Sequence, residues 1–251
     1  MKRAVILLYG LVSYVIFFAT FLYAVGFIGD FWVPRSIDST RELPLWNAVA
    51  INLGLLAAFA LQHSVMARPV FKRWWTRMVP EAAERSTYVL FSSLALIALF
   101  YFWSPIGGVV WDVRDPLGRK LIYAAFASGW LIVLLSTFLI NHFDLFGLRQ
   151  VWLYFRRKPY TTLPFKTPVF YRVVRHPLYV GWFLVVWSTP TMTSAHLLFA
   201  VMTSVYILIG IQLEEHDLTQ MHPEYAQYRR QVPMLVPFTK RRAAGIVNAR
   251  R

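Results

Sequence analysis

The sequence predicts an all-α polytopic membrane protein: four transmembrane helices, then a C-terminal helical hairpin with one short arm. Three observations carry this. Apolar residues make up 57% of the 251-residue chain and fall into long uninterrupted runs; a hydrocarbon core of ~30 Å requires such runs of about 20 residues. Charged residues reach only 15% and gather between those runs or at the chain ends, unlike the even charge of a soluble domain. Two charged clusters, opening at Arg175 and Glu214, bracket the last apolar stretch.

Taken in order, the first span covers residues 4–28. Lys2 and Arg3 precede it as in a signal peptide, but no small-residue cleavage site follows, so it is read as a retained helix. A polar loop leads to a second span, 44–66, which carries Asn47, Asn52, Gln62 and His63. Residues 68–85 are basic and hold Trp74-Trp75, the pattern of an interfacial segment. The third span covers 86–103 and the fourth 121–140, ending on Asn141, His142 and Asp144. Residues 149–175 are basic and aromatic and are expected at the membrane surface. The hairpin follows. Its first arm, 178–187, is about 20 Å long at most at ~1.5 Å per residue, its turn runs through Ser188-Thr189-Pro190, and its second arm covers 194–213.

Net charge is +14. In a soluble protein this would suggest nucleic acid. Here the cations flank apolar runs, so no nucleic acid is expected, and the partners are anionic membrane lipids and, locally, an anionic ligand group. Placing the N-terminus in the cytoplasm leaves Arg35, Arg41, Arg114, Arg119 and Lys120 outside and the other 21 of 26 basic residues inside, as the positive-inside rule asks. Both charged clusters, and the basic C-terminal tail, then face the cytoplasm. With no cysteine, disulfides, thiolate zinc sites and cysteine nucleophiles are excluded. The histidines show no ligand spacing, so no metal is expected.

The first cluster is Arg175-His176-Pro177-Leu178-Tyr179-Val180-Gly181. Proline is favoured at a helix's first position, so Pro177 starts the hairpin, and that helix N-terminus, with Arg175 and His176, attracts carboxylate or phosphate. Gly181 permits close approach of a helix or a ligand. In the second cluster, Glu214 and Glu215 sit where the last helix leaves the membrane, and such carboxylates demand cationic or donor partners. Tyr225 and Tyr228 follow, three apart on an amphipathic segment. If both hairpin ends lie on one face, these groups converge on a cytoplasmic pocket. His63, His142 and Asn141, near the cytoplasmic ends of the second and fourth spans, are candidate catalytic groups for moving a proton, although each also reads as an ordinary hydrogen-bonded interfacial residue.

The set Arg-His-Pro-x-Tyr-x-Gly, then Glu214-Glu215-x-x-Leu218, then Tyr225-x-x-Tyr228-x-x-x-Val232-Pro233 resembles the C-terminal signature of the isoprenylcysteine carboxyl methyltransferase superfamily. The N-terminal part, including Leu61-Gln62-His63-Ser64-Val65-Met66-Ala67-Arg68, Trp74-Trp75 and Phe146-Gly147-Leu148-Arg149-Gln150, looks more like the bacterial methanethiol S-methyltransferases. The resemblance implies a division into transmembrane helices (1–148), a cofactor-binding catalytic region (149–237) and a short, basic, mobile tail (238–251). It further implies S-adenosylmethionine as cofactor, a small thiol as partner, and an inner-membrane location. Carried onto matching positions, Arg175, His176, Tyr179, Gly181, Glu214, Glu215, Tyr225 and Tyr228 would bind the cofactor. A sequence G-x-G-x-x-G is absent, so a Rossmann site is not supported. The competing readings are a methyltransferase acting on a lipidic substrate, a sterol-type reductase using a nicotinamide cofactor, and a non-enzymatic membrane accessory protein.

Overall fold

The computed structural model describes residues 1–39 and 43–239. Arg41, and all but the first residues of the expected basic tail, lie outside the described residues. Ten α-helices are described: α1 (Lys2–Gly29), α2 (Leu45–Ala67), α3 (Pro69–Trp75), α4 (Glu81–Phe102), α5 (Pro116–Ile140), α6 (His142–Leu145), α7 (Leu148–Phe155), α8 (Pro177–Trp187), α9 (Ser194–Met221) and α10 (Tyr225–Gln231). Five of them, α1, α2, α4, α5 and α9, are long and apolar enough to cross a membrane, and the protein is an integral membrane protein. Apolar α8 is only 11 residues long.

Local signals set the helix starts. Pro116 occupies the first turn of α5 and Asp115 caps it, accepting a 2.6 Å bond from the Gly118 N–H, which begins the helix five residues before the apolar run. Glu81 and Glu84 lie in the first turn of α4, where the helix dipole favours negative charge, and α4 likewise begins ahead of the expected residue 86. Thr193 caps α9 through a 3.1 Å bond from the His196 N–H. The far end of α9 is the larger departure. It runs eight residues past Leu213, carrying Glu214, Glu215 and Asp217 inside the helix.

The helices gather into a bundle with two distinct ends. At one, Phe27 of α1 meets Phe100 of α4, Trp103 just past its end and Phe199 of α9, and Asn52 of α2 exchanges hydrogen bonds with the Ser104 backbone at 2.7 and 2.9 Å. Here two short strands pair antiparallel, β1 (Val109–Asp112) and β2 (Thr191–Thr193). This small ribbon corrects the all-α expectation. It fastens the α4–α5 loop to the α8–α9 turn, and Trp111 Nε1 donates to Thr189 O at 3.1 Å. Outward residues of the long helices, among them Val5, Leu8, Leu131 and Ile209, are exposed and apolar, as a lipid-facing surface requires.

Helix α8 packs on α5 through glycines. A Cβ on Gly181 would meet Gly129 O at 2.7 Å, and one on Gly129 would meet Gly181 O at 2.8 Å. Gly181 thus sits against Gly129 and Val133, seven to eleven residues before the Ile140 end of α5, whereas only four residues separate Gly181 from the start of α8. At ~1.5 Å per residue the start of α8 is therefore recessed by roughly 7 Å relative to the end of α5. The short arm reaches the ribbon end of the bundle and leaves a depression at the other.

Candidate active site

Recession of α8 puts Arg175 and His176 deep among the helices. Pro177 is in the first turn and His176 is the cap residue. The backbone N–H groups of Arg175 and His176 donate to Pro233 O and Met234 O at 2.8 and 3.2 Å, so the chain leaving α10 lies alongside the α8 start. The Arg175 guanidinium donates to Arg229 O and Val232 O at 3.1 and 2.5 Å and, through Nε, to Glu215 Oε1 at 2.6 Å.

Glu215 is 1% exposed. A carboxylate that deep is tolerable only when paired and hydrogen-bonded, and it has ample partners. His176 Nε2 lies 3.0 Å from Oε1, Arg229 Nε lies 3.0 Å from Oε2, and the buried phenol of Tyr225 faces the same group. Glu214 differs. Consecutive residues on a helix point ~100° apart, and the Glu214 side chain is 44% exposed, accepting a 3.0 Å bond from the Tyr179 hydroxyl with His176 Nδ1 at 3.8 Å. The inner carboxylate locks α8, α9 and α10 together, and the outer one is open to solvent.

Around them Phe165 stacks its edge on Tyr225 and Tyr228, and the Tyr228 hydroxyl donates to Tyr171 O at 2.5 Å. Burial pushes the phenols of Tyr171, Tyr225 and Tyr228 up; the charge of Glu214 adds to this at Tyr171, and that of Glu215 at Tyr225. All three remain protonated at neutral pH. Gly181, by contrast, spends its open side on Gly129 of α5, so its smallness serves helix packing rather than a ligand.

The expected proton-handling residues divide. His63 on α2 has Nε2 2.8 Å from the Tyr88 hydroxyl and Nδ1 3.2 Å from Ser92 Oγ, both on α4, and its ring stacks on Phe59. Its neighbour Ser64 shares a 3.1 Å bond with Tyr206 of α9, and Arg68 pairs with Asp217 of α9 at 2.8 Å. His63 therefore borders the same end of the bundle as Glu214. His142 has both ring nitrogens engaged, by Thr137 Oγ1 and by the Tyr14 hydroxyl at 2.8 Å each, and lies flat on Phe138. Burial lowers its basicity. Asn141 caps α6, its Oδ1 accepting from Asp144 N at 3.1 Å. These two contacts are those of a structural joint between α1, α5 and α6.

Tyr88, Ser92 and Tyr206 were not singled out from the sequence. Each sits in an apolar run and belongs to no recognisable motif, and only the packing of α4 and α9 against α2 reveals them. Asp217 and Arg68, 149 residues apart, were equally silent as a pair. The opposite end of the bundle carries an apolar groove of about 430 Å³ between Trp111, Leu121 and Trp187, remote from these polar groups.

Fold and site together define a helical integral membrane protein with a polar, tyrosine-rich site recessed at one end of its bundle. The chain is 61% identical over 239 residues to a methanethiol S-methyltransferase of Crocosphaera subtropica, covering 95% of this chain and 94% of that protein. It is 52% identical over 242 residues to a methanethiol S-methyltransferase of Mycobacterium tuberculosis, covering 96% and 99%. Likeness extends at 30% identity over 214 residues to nurim of Bos taurus, covering 81% and 78%. No family model and no solved structure matches. The chain belongs to the methanethiol S-methyltransferase family, and it is a thiol S-methyltransferase.

Proposed function

We propose that this enzyme transfers a methyl group from S-adenosylmethionine to methanethiol, giving dimethyl sulfide, in the recess above the start of α8. The observation that carries this is the pairing of a locked carboxylate with an open one: Glu215 enclosed by Arg175, His176 and Arg229, and Glu214 half-exposed beside Tyr179. The donor set fits the cofactor. Glu214 suits its amino group or ribose hydroxyls, the α8 N-terminus with His176 suits its carboxylate, and Tyr171 and Tyr179 offer aromatic surface.

When bound, S-adenosylmethionine supplies an electrophilic methyl on a cationic sulfur. The chain's task is then to position and desolvate, because charge is neutralised as the reaction proceeds. Arg175 and Glu215 hold the α8 start rigid, and Glu214 and Tyr179 orient the ligand. Because a small alkyl thiol is mostly protonated at neutral pH, His63 takes the thiol's proton. The basic-residue count supports a cytoplasmic N-terminus and a cytoplasmic site in a bacterial inner membrane, where the soluble cofactor is available.

The test is headspace gas analysis of purified protein in detergent with S-adenosylmethionine and methanethiol, against heat-killed protein. Dimethyl sulfide in step with S-adenosylhomocysteine is the expected result. Cofactor binding without product would overturn the acceptor, and no binding would overturn the site.

A further inference from the structure

We propose that Tyr88 is the residue that meets the thiol and passes its proton to His63; this rests on the methyl-transfer reading above. The geometry begins with the histidine. Ser92 and Tyr88 lie four residues apart on α4, on one face, and together they engage both ring nitrogens of His63: Ser92 Oγ lies 3.2 Å from Nδ1, and the Tyr88 hydroxyl lies 2.8 Å from Nε2 and 3.1 Å from Nδ1. With Nδ1–H donating to Ser92, Nε2 is the nitrogen left to take the Tyr88 proton. A substrate has no free nitrogen on His63 to reach. The group it meets is the phenol oxygen.

That oxygen lies toward the cofactor side. Tyr179, bonded to Glu214 at 3.0 Å, is near enough to Tyr206 and Tyr88 to respond to charge on either, and Tyr206 is fastened through Ser64 to the turn that carries His63. The phenols of α4, α8 and α9 thus lie within electrostatic reach of one another. The other charged groups that act on Tyr88 are Arg85 and Glu84 on its own helix and Arg68 at the end of α2. The Arg85 guanidinium carbon lies 5.8 Å from the Tyr88 ring centre, where it favours negative charge on the phenol oxygen as the proton moves.

The step balances. The thiol S–H proton moves to the Tyr88 oxygen while the Tyr88 proton moves to His63 Nε2. The thiol sulfur's electron pair forms the new S–CH3 bond as the C–S bond of the sulfonium donor breaks, leaving a neutral thioether on each side. His63, now cationic, releases its proton to water.

Tyr88→Phe keeps the ring and removes the relay. At pH 7 its turnover should fall at least tenfold with S-adenosylmethionine affinity, read by calorimetry, within twofold of the parent. The deficit should shrink as the pH rises above the ~8.5 of a cysteine thiol toward the higher pKa of a simple alkyl thiol, which then ionises unaided. His63→Ala should show the same pH-dependent deficit, and the double variant should be no slower than the slower single one. Independently of turnover, 15N spectra of histidine-labelled protein without thiol should show an altered His63 tautomer in Tyr88→Phe. A Tyr88→Phe enzyme with parent turnover, a deficit equal at every pH, or additive single losses would overturn the relay. If Tyr88→Phe fails to bind cofactor, Ser92→Ala carries the test: a pH profile identical to the parent's would overturn it. Failure of the methyl-transfer reading itself would instead appear as parent enzyme that makes no dimethyl sulfide.

Discussion

Arg175 Nε lies 2.6 Å from Glu215 Oε1, and this bond joins the second residue ahead of α8 to a helix that begins 19 residues later. Both side chains are almost fully buried, at 5% and 1% exposure. Removing Arg175 leaves the buried Glu215 carboxylate to His176 and Arg229 alone, a loss of at most about 3–5 kcal/mol, the cost of a buried charge left with no partner. Arg175→Ala also orphans the carbonyls of Arg229 and Val232. We expect it to lower the thermal midpoint in detergent sharply, with cofactor binding lost as a consequence of the opened α8–α9–α10 junction.

Glu214→Gln should separate binding from stability. The side chain is half-exposed and holds one hydrogen bond, from Tyr179, which an amide oxygen also accepts. The midpoint should move little. Affinity for S-adenosylmethionine, measured by calorimetry, should fall at least tenfold, since the negative charge offered to a cationic amine is gone. Unchanged affinity in properly inserted protein would count against the recess as the cofactor site.

Gly181→Ala tests the packing of α8 on α5. The added methyl would meet Gly129 O at 2.7 Å and Val133 N at 2.9 Å, and backbone atoms cannot swing aside as a flexible side chain can. The helices must separate, at a cost of about 1–3 kcal/mol. Thermal unfolding checks this, and an unshifted midpoint would mean that the two helices do not approach so closely.

Much of this was legible in the sequence because a bilayer leaves few choices. The apolar runs at 4–28, 44–66 and 121–140 correspond to α1, α2 and α5 within a few residues at most ends, since the hydrocarbon core selects for both length and apolarity. Glu214 and Glu215 stood out because unpaired carboxylates at that position are costly. Their division into an inner and an outer role was not legible, since it depends on which way each faces once α9 continues past Leu213. That continuation was hidden for the same reason: hydropathy ends at Glu214, but Arg175, Tyr179 and Arg68 satisfy the acids and let the helix go on. The β1–β2 ribbon was invisible because Val109–Asp112 is exposed on every residue and carries no alternating pattern. Nothing local in Tyr88 announces a contact with His63, 25 residues away.

Two groups outside the spans should give opposite pH responses, and together they test whether His142 is structural. Burial pushes the Asp38 carboxyl, in the α1–α2 loop, up to about 6, against the opposing hydrogen bond from Thr193. Between the unfolded value of ~3.9 and about 6 the folded chain holds a proton that the unfolded chain has lost. Stability from this group therefore falls as pH rises through that window, by up to roughly 3 kcal/mol at ~1.4 kcal/mol per unit. His142 is the reverse case. Burial lowers its basicity, so below ~6.5 the unfolded chain takes the proton first and stability falls as pH falls. Thermal midpoints of Asp38→Asn, followed from pH 4 to 7, should lose the first response and retain the second. His142→Ala should lose the second, and should be less stable at every pH because the Tyr14 and Thr137 hydroxyls are left without their 2.8 Å partners, a loss of about 1–3 kcal/mol for each group that stays buried and unpaired. Turnover per folded molecule of His142→Ala should match the parent. A selective loss of turnover, with the midpoint unmoved, would return His142 to the proton path and displace His63 from it.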